Sequence, residues 1–142
     1  MDDFEIVEHT ADVGIRGRGD SLDALFTSMA RGLFAVIADP ATVRTDPKAG
    51  GGRRSIRLDA DSAADLLHDW LDELNALHQI HAELYRRFTV HVTDTSLTAI
   101  AEGETIDPDR HDLRVEVKAV TWHDLRLNRT GDGYEAFVLL DI

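Results

Sequence analysis

The residues best suited to chemistry lie at the ends of apolar runs. Asp12 closes a polar corner, His9-Thr10-Ala11-Asp12, between two short apolar segments. Asp141 follows the run Phe137-Val138-Leu139-Leu140, and Ile142 after it carries the free α-carboxylate. Carboxylates on neighbouring residues repel one another unless something positive lies between them. A hard divalent cation, Ca²⁺ or Mg²⁺, takes oxygen ligands of this kind. The plain alternative is a solvated, frayed C-terminus.

Lys118 is a second candidate. Of the 15 basic residues 13 are Arg, and only Lys48 and Lys118 are Lys. A Lys kept in an Arg-rich chain points to a site that needs a compact ammonium and not a planar fork. Alternation in Val115-Glu116-Val117-Lys118 puts the valines on one face and Glu116 and Lys118 on the other. A solvated partner of a nearby carboxylate, worth little energetically, fits the same pattern. Asp72 and Glu73 follow Trp70-Leu71 in an apolar helical stripe, with Asp72 pointing away and Glu73 near the stripe's edge. Either acid can serve a partner or simply be solvated.

Other patterns are weaker. His78 and His81 are three apart, a spacing that suits one helical turn, but no third ligand or His-Glu-x-x-His signature accompanies them. His9 and His123 can line a cleft or fill half-buried surface, and nothing specific marks a Ser-His-Asp triad. Gly14, Gly17 and Gly19 precede a helix without Gly-Lys-Ser/Thr or G-x-G-x-x-G, so no nucleotide fingerprint is present. Their expected role is a turn that uses positive φ.

The elements that position these residues follow from period and punctuation. Phe4–Glu8 reads as a strand, and Val13 and Ile15 begin another that ends at Gly17 and Gly19. Ser21 caps a helix whose stripe runs from Leu22 to Ile37 and stops at Asp39-Pro40. Residues 40–53, with Gly50-Gly51-Gly52, form a flexible loop, and 54–58 a strand. Asp61 or Ser62 caps a second helix ending at 77–80. Alternation then predicts strands around Phe88–Val92, Leu97–Ala101, Val115–Val117, Val120–Leu127 and Tyr134–Asp141, with Thr105–Asp112 a polar loop. The fold class is α+β: one domain, 1–142, with two helices on a mostly antiparallel sheet arrangement.

Composition bounds the function. The chain has 142 residues, 43% apolar and 30% charged, which describes a globular domain. No cysteine means no disulfide, thiolate catalysis or iron–sulfur centre. The acidic start Met1-Asp2-Asp3-Phe4-Glu5 and the lack of a long apolar run lead us to expect a cytoplasmic protein. The net charge is −12, and 19 of the 27 acids are Asp. That field disfavours autonomous nucleic-acid binding. The Asp-heavy, Lys-poor composition suits a high-salt cytoplasm, although genomic base composition also trades Lys for Arg.

Together these segments resemble the archease family. The resemblance rests on His9-Thr10-Ala11-Asp12-Val13-Gly14-Ile15, on Leu67-His68-Asp69-Trp70-Leu71-Asp72-Glu73-Leu74, on Glu116-Val117-Lys118-Ala119-Val120-Thr121-Trp122-His123 and on Leu139-Leu140-Asp141-Ile142. Trp122 stands where the family often has Tyr and keeps an aromatic ring. The resemblance implies a compact three-layer fold and a protein cofactor, not an enzyme. Its implied partner is the RtcB-type RNA ligase of tRNA splicing, which uses GTP and a divalent metal. Archeases promote guanylylation of that ligase and its multiple turnover. The family's Ca²⁺ ligands would fall on Asp12, Asp141 and the carboxylate of Ile142. Its functional lysine would be Lys118, and its helical acids Asp72 and Glu73. Two other readings stay open: a metal-dependent phosphoester hydrolase and a general chaperone-like modulator of nucleic-acid-processing proteins.

Overall fold

A computed structural model describes residues 3–8, 11–46 and 52–142. The elements run β1 (Phe4–Glu8), β2 (Asp12–Gly19), α1 (Leu22–Ile37), β3 (Arg53–Asp59), α2 (Ala63–His81), β4 (Glu83–Val92), β5 (Ser96–Thr105), β6 (Ala119–Val120), β7 (Arg126–Arg129) and β8 (Tyr134–Asp141). Two antiparallel sheets form. The first has the order β1-β2-β8, with β6 and β7 both pairing with β8, and the second has the order β3-β5-β4.

The helices lie between the sheets. α1 packs on β2 of the first sheet and on β4 of the second, and α2 reaches β3, β4 and β6. A helix covered on two sides needs apolar residues round most of its circumference. Accordingly 11 residues of α1 are buried, Leu25, Phe26, Met29 and Leu33 completely. Trp70 of α2 is fully buried and donates its indole N–H to Phe26 C=O at 3.0 Å, joining the helices. Ser21 Oγ accepts from Ala24 N–H, and Ser62 Oγ from Asp65 N–H, both at 3.1 Å. Ser62 is therefore the second cap. α2 ends at His81, one residue beyond the expected limit, where Ala82 turns into the left-handed region (φ 52°).

The Gly-rich second strand works by close approach. None of Gly14, Gly17 and Gly19 adopts a left-handed backbone. A Cβ on Gly19 would come within 2.4 Å of Leu25 N, and one on Gly14 within 2.6 Å of the Phe137 ring. These glycines let α1 and Phe137 pack onto β2, so the expected positive-φ turn is not their role.

Three further expectations change. Residues 40–53 contain a 3-10 turn, Pro40–Thr42, capped by Asp39; Gly50 and Gly51 lie outside the described residues. Val115–Val117 is not a strand. The Val117 carbonyl accepts from Asn75 Nδ2 at 3.0 Å and Gln79 Nε2 at 2.9 Å, so α2 side chains replace a ladder partner. The predicted strand Val120–Leu127 is broken in two. Residues 121–125 of the edge lie opposite only Val138 and Leu139 of β8, so the chain loops outward between β6 and β7. Asp124 (φ 56°) and a turn from Trp122 to Leu125 close that excursion. His123 consequently sits in a turn and not in a strand.

Two buried carboxylates organise the loops. Glu83 accepts from Arg54 Nε at 2.8 Å and from the Tyr85 hydroxyl at 2.7 Å. Burial pushes its carboxyl up, but the hydrogen bonds from Arg54 and Tyr85 outweigh this and hold it below the usual range. Glu104 lies at the end of β5 and is 2% exposed. It meets Arg110, the Arg44 N–H and His111 Nε2, the last at 3.2 Å. Burial acts upward here too, and those donors bring the net shift down. The polar loop after Thr105 therefore folds around a buried anion.

Candidate functional site

Antiparallel pairing of β2 with β8 places Asp12 directly opposite Asp141. The register is set by burial. Val13, Ile15, Val138 and Leu140 point into the core, which leaves Asp12 and Asp141 on the outer face of the same sheet end. Ile142 N–H reaches Ala11 C=O at 3.4 Å and extends the ladder beyond both acids. Like charges directly across a strand pair are destabilising. Neither acid has an ion-pair partner among the described residues, and Asp12 Oδ1 is buried without a hydrogen bond. A buried carboxylate oxygen left unpaired costs free energy that a bound cation would recover. The donor set consists of hard oxygens, which fits Ca²⁺ or Mg²⁺. Among the described residues no three His, Cys, Asp or Glu side chains converge on one point.

β6 brings the third element to the same end. Ala119 registers with Asp141, and Lys118 N–H donates to Asp141 C=O at 2.8 Å. The Lys118 side chain is exposed and makes no ion pair among the described residues. Asp72 is exposed on α2. It lies between His68, which binds Val120 C=O, and Asn75, which binds Val117 C=O. α2 and the segment 117–120 therefore run antiparallel, with Asp72 beside residues 118–119. Glu73 is half-buried and lies about 100° round the helix from Asp72, toward the other flank. Strand pairing thus brings Asp12, Asp141, Ile142 and the Lys118 backbone to one sheet end, whereas Asp72 and Glu73 lie on α2 and make no side-chain hydrogen bond or ion pair with them among the described residues.

A further part of this edge is assembled only by the fold. The outward excursion carries Trp122 onto His68, with ring centroids 3.7 Å apart and planes 16° from parallel. His68 is nearly buried. Its Nε2–H donates to Val120 C=O at 2.9 Å, and its Nδ1 lies 3.0 Å from Asp69 Oδ1. Trp122 remains 54% exposed and borders an acidic depression with Asp59, Asp61, Asp65 and Asp69. The His68-Asp69 and Trp122 motifs were visible in the sequence, but only the loop between β6 and β7 brings them together. His78 and His81 make no metal pair in the described structure. His78 Nδ1 instead lies 2.7 Å from Glu83 C=O, at the turn into β4. His9 lies outside the described residues.

Among the described residues no helix is long and apolar enough to cross a membrane. The model of the archease protein family (MTH1598/TM1083) matches residues 4–142. A protein archease from Pyrococcus abyssi is 37% identical over 137 residues, covering 94% of this chain and 93% of that one. One from Sulfurisphaera tokodaii is 33% identical over the full length of both. The solution structure of Methanobacterium thermoautotrophicum protein 1598 superposes with a TM-score of 0.82 at 34% identity, covering 100% of both chains. A Thermotoga maritima archease, described as a possible chaperone, shares the fold with a TM-score of 0.63 at 19% identity, covering 97% of this chain and 96% of that one. A family match spanning nearly the whole chain, with relatives above 30% identity end to end, shows that the chain belongs to the archease family.

Proposed function

We propose that this protein is a non-catalytic activator of an RtcB-type RNA ligase in tRNA splicing, acting through the edge that carries Asp12, Asp141, Ile142, Lys118 and Asp72. The observation that carries the reading is the register pairing of Asp12 with Asp141, with an unpartnered buried oxygen on Asp12 and Lys118 hydrogen-bonded alongside. Asp12, Asp141 and the Ile142 carboxylate hold one hard divalent cation, Ca²⁺ or in its place Mg²⁺ or Mn²⁺. When bound, the cation neutralises the carboxylates and orders the last turn of the ladder.

The chain's own residues do the rest. The acidic depression beside Trp122 meets a basic ligase surface, and opposite charges speed that encounter. In concentrated salt such steering is screened to a few ångströms, so short-range contacts by Trp122 and Lys118 must fix the docked pose. Lys118 offers a single free ammonium to an anionic group at the ligase's nucleotide site. Binding only the guanylylation-competent state of the ligase then raises that state's population. Asp72, exposed on α2 beside residues 118–119, is the helical acid available to the same partner, and Glu73 on the other flank of the helix has no contact with this edge among the described residues.

The test is guanylylation of the cognate ligase with GTP and Mn²⁺, in high salt, with and without this protein. Stimulation at substoichiometric amounts is expected. Asp12→Ala, Asp141→Ala and Lys118→Ala should each lose it while retaining a folded spectrum. Full stimulation by all three variants, or none by the folded wild type, would overturn the proposal. Phosphoester turnover without the ligase would favour a metal-dependent hydrolase. Suppression of aggregation of an unrelated client would favour the general-chaperone reading, which the description of the Thermotoga maritima relative as a possible chaperone brings forward.

A further inference from the structure

Both hydrogen-bond partners of His68 are acceptors. Its Nε2 lies 2.9 Å from Val120 C=O, and its Nδ1 lies 3.0 Å from Asp69 Oδ1. A carbonyl has no hydrogen to give, and an ionised carboxylate has none either. A neutral imidazole carries one N–H and serves only one of these partners; its other nitrogen then turns a lone pair toward an oxygen. An imidazolium carries two N–H groups and serves both. His68 is 8% exposed, so little water reaches the ring to supply a missing donor. The ring also lies against Trp122, with centroids 3.7 Å apart and planes 16° from parallel. A cation over the face of an indole is attracted by the ring quadrupole, and more strongly where water is excluded.

The charges round the ring agree with this arrangement. On α2, Asp65 and Asp72 stand one turn before and one turn after His68, on its side of the helix. Asp59 and Asp61, from the end of β3 and the turn into α2, border the same depression as Asp65, Asp69 and Trp122. From the other side, Lys118 precedes β6 and is exposed. His123 and Asp124 follow Trp122 and face each other at 3.4 Å. Arg126 of β7 is turned to the Phe137 ring, 5.1 Å from its centroid, on the outer face of the first sheet. Acid therefore outweighs base around His68.

We infer that His68 is a positioning residue whose proton holds Trp122 in place at the docking edge. The inference rests on the proposed docking role of Trp122. Residues 121–125 leave the ladder of β8, and off that ladder the stack on His68 holds the indole against α2. With both nitrogens protonated, the ring is tied at two points and presents a fixed face to Trp122. Loss of the Nδ1 proton sets a lone pair against Asp69 Oδ1 and removes the cationic attraction for the indole. The imidazole or Asp69 must then turn away, and Trp122 loses its seat. Docking through Trp122 is thus strongest with the ring charged and weakens as pH rises through the ring's transition.

The test is NMR of the full chain without ligase, from about pH 5 to about pH 8, the span in which histidine charge changes. It follows the two ring nitrogens of His68 and the upfield shift that a stacked indole imposes on the ring protons. At the acid end both nitrogens should show the imidazolium signature and the ring protons a large upfield shift. Both features should be lost together as the proton leaves. Asp69→Asn gives a result that a merely structural histidine does not predict. The amide can donate to a neutral Nδ1, so the stacking shift should survive deprotonation of the ring. The Asp69 side chain is 42% exposed, so the substitution leaves the core packing alone. A ring that is neutral at the acid end would overturn the inference. So would a wild-type stacking shift indifferent to the transition, or its loss in Asp69→Asn as in wild type. Guanylylation of the cognate ligase at sub-saturating activator then reads the consequence. The ratio of wild-type to Asp69→Asn stimulation cancels the ligase's own pH dependence and should fall about tenfold across the transition; a flat ratio would overturn the link to docking. No stimulation by wild type at any pH would defeat the activator reading, while the NMR result would still decide whether the proton of His68 holds Trp122.

Discussion

Asp12→Asn should make the metal-free protein more stable and the metal-loaded protein less stable than wild type. Residues directly opposite in an antiparallel pair have Cβ atoms about 5 Å apart. Two unit charges at that distance repel by about 3 kcal/mol at an effective dielectric of 20 and by about 0.8 kcal/mol in water. Asp12 is half-buried and Asp141 exposed, so the repulsion falls between these limits, about 1–2 kcal/mol. For a domain of this size about 1 kcal/mol moves Tm by about 3–4 °C. The chelated variant should therefore melt about 3–7 °C above chelated wild type. If the proposed site binds Ca²⁺, adding the ion to 100 times its Kd should stabilise wild type by about 2.7 kcal/mol, or about 10 °C, through mass action. The variant should gain little, so the order of stabilities reverses. Scanning calorimetry in chelator and across a Ca²⁺ titration reads both effects. A chelated variant that melts below wild type would refute the charge argument. Equal Ca²⁺ gains in both proteins would refute the assignment of Asp12 as a ligand.

Three other outcomes follow from the fold. Ala82→Gly should stabilise the protein by about 0.5 kcal/mol in urea unfolding, because the left-handed backbone costs Ala about 1 kcal/mol and the unfolded chain's extra freedom offsets part of the relief. Glu83 and Glu104 have carboxyls held below the ordinary value of 4.5 in the folded state. Their stabilisation is therefore complete above 4.5 and is lost as pH falls through their folded values; acid titration of stability should show this loss, and Glu104→Gln should flatten it while lowering stability at neutral pH. Raising KCl from about 0.15 M toward 1 M should increase Tm, since it shortens the screening length from about 8 Å to 3 Å around a net charge of −12; a flat or falling Tm would count against adaptation to high salt.

Much of this architecture was legible because burial writes a period into sequence. The stripe from Leu22 to Ile37 gives α1, and Ser21 and Ser62 mark both helix starts. Val115–Val117 misled for a physical reason. Val117 is buried, so its alternation is real, yet periodicity reports which side chain is inside and not which group takes the backbone hydrogen bonds. Here Asn75 and Gln79 take them. The same limit hid the break after Val120. No residue between 121 and 125 forbids a strand, and the extra length becomes visible only against the short partner segment of β8. The glycines of β2 are required by their contact distances and not by their dihedrals, a distinction that residue type alone does not encode. At the site, Asp12, Asp141 and Lys118 stood out by type and position. The His68–Trp122 stack required a long-range contact that no local pattern encodes.

The site's parts also share one backbone. Asp141 faces Asp12 across β2, and its carbonyl receives Lys118 N–H. Two residues earlier, Leu139 C=O receives both the N–H and the hydroxyl of Thr121, which starts the excursion to Trp122. The end of β8 therefore supports the proposed metal ligands on one side and the docking residues on the other. A cation that ordered Asp141 would reduce the freedom of Lys118 and Trp122, and a partner that gripped those two would reduce the freedom of Asp141. Such coupling would be reciprocal: any factor by which metal tightened binding of the proposed ligase partner would equal the factor by which that partner tightened metal binding. Measuring Ca²⁺ affinity with and without saturating ligase tests this, and an unchanged affinity alongside metal-dependent docking would contradict the linkage. The requirement also gives the short β6 a purpose. Two residues of pairing suffice to tie Lys118 to Asp141, and a longer uninterrupted strand would hold residues 121–125 on the ladder and leave Trp122 unable to reach His68.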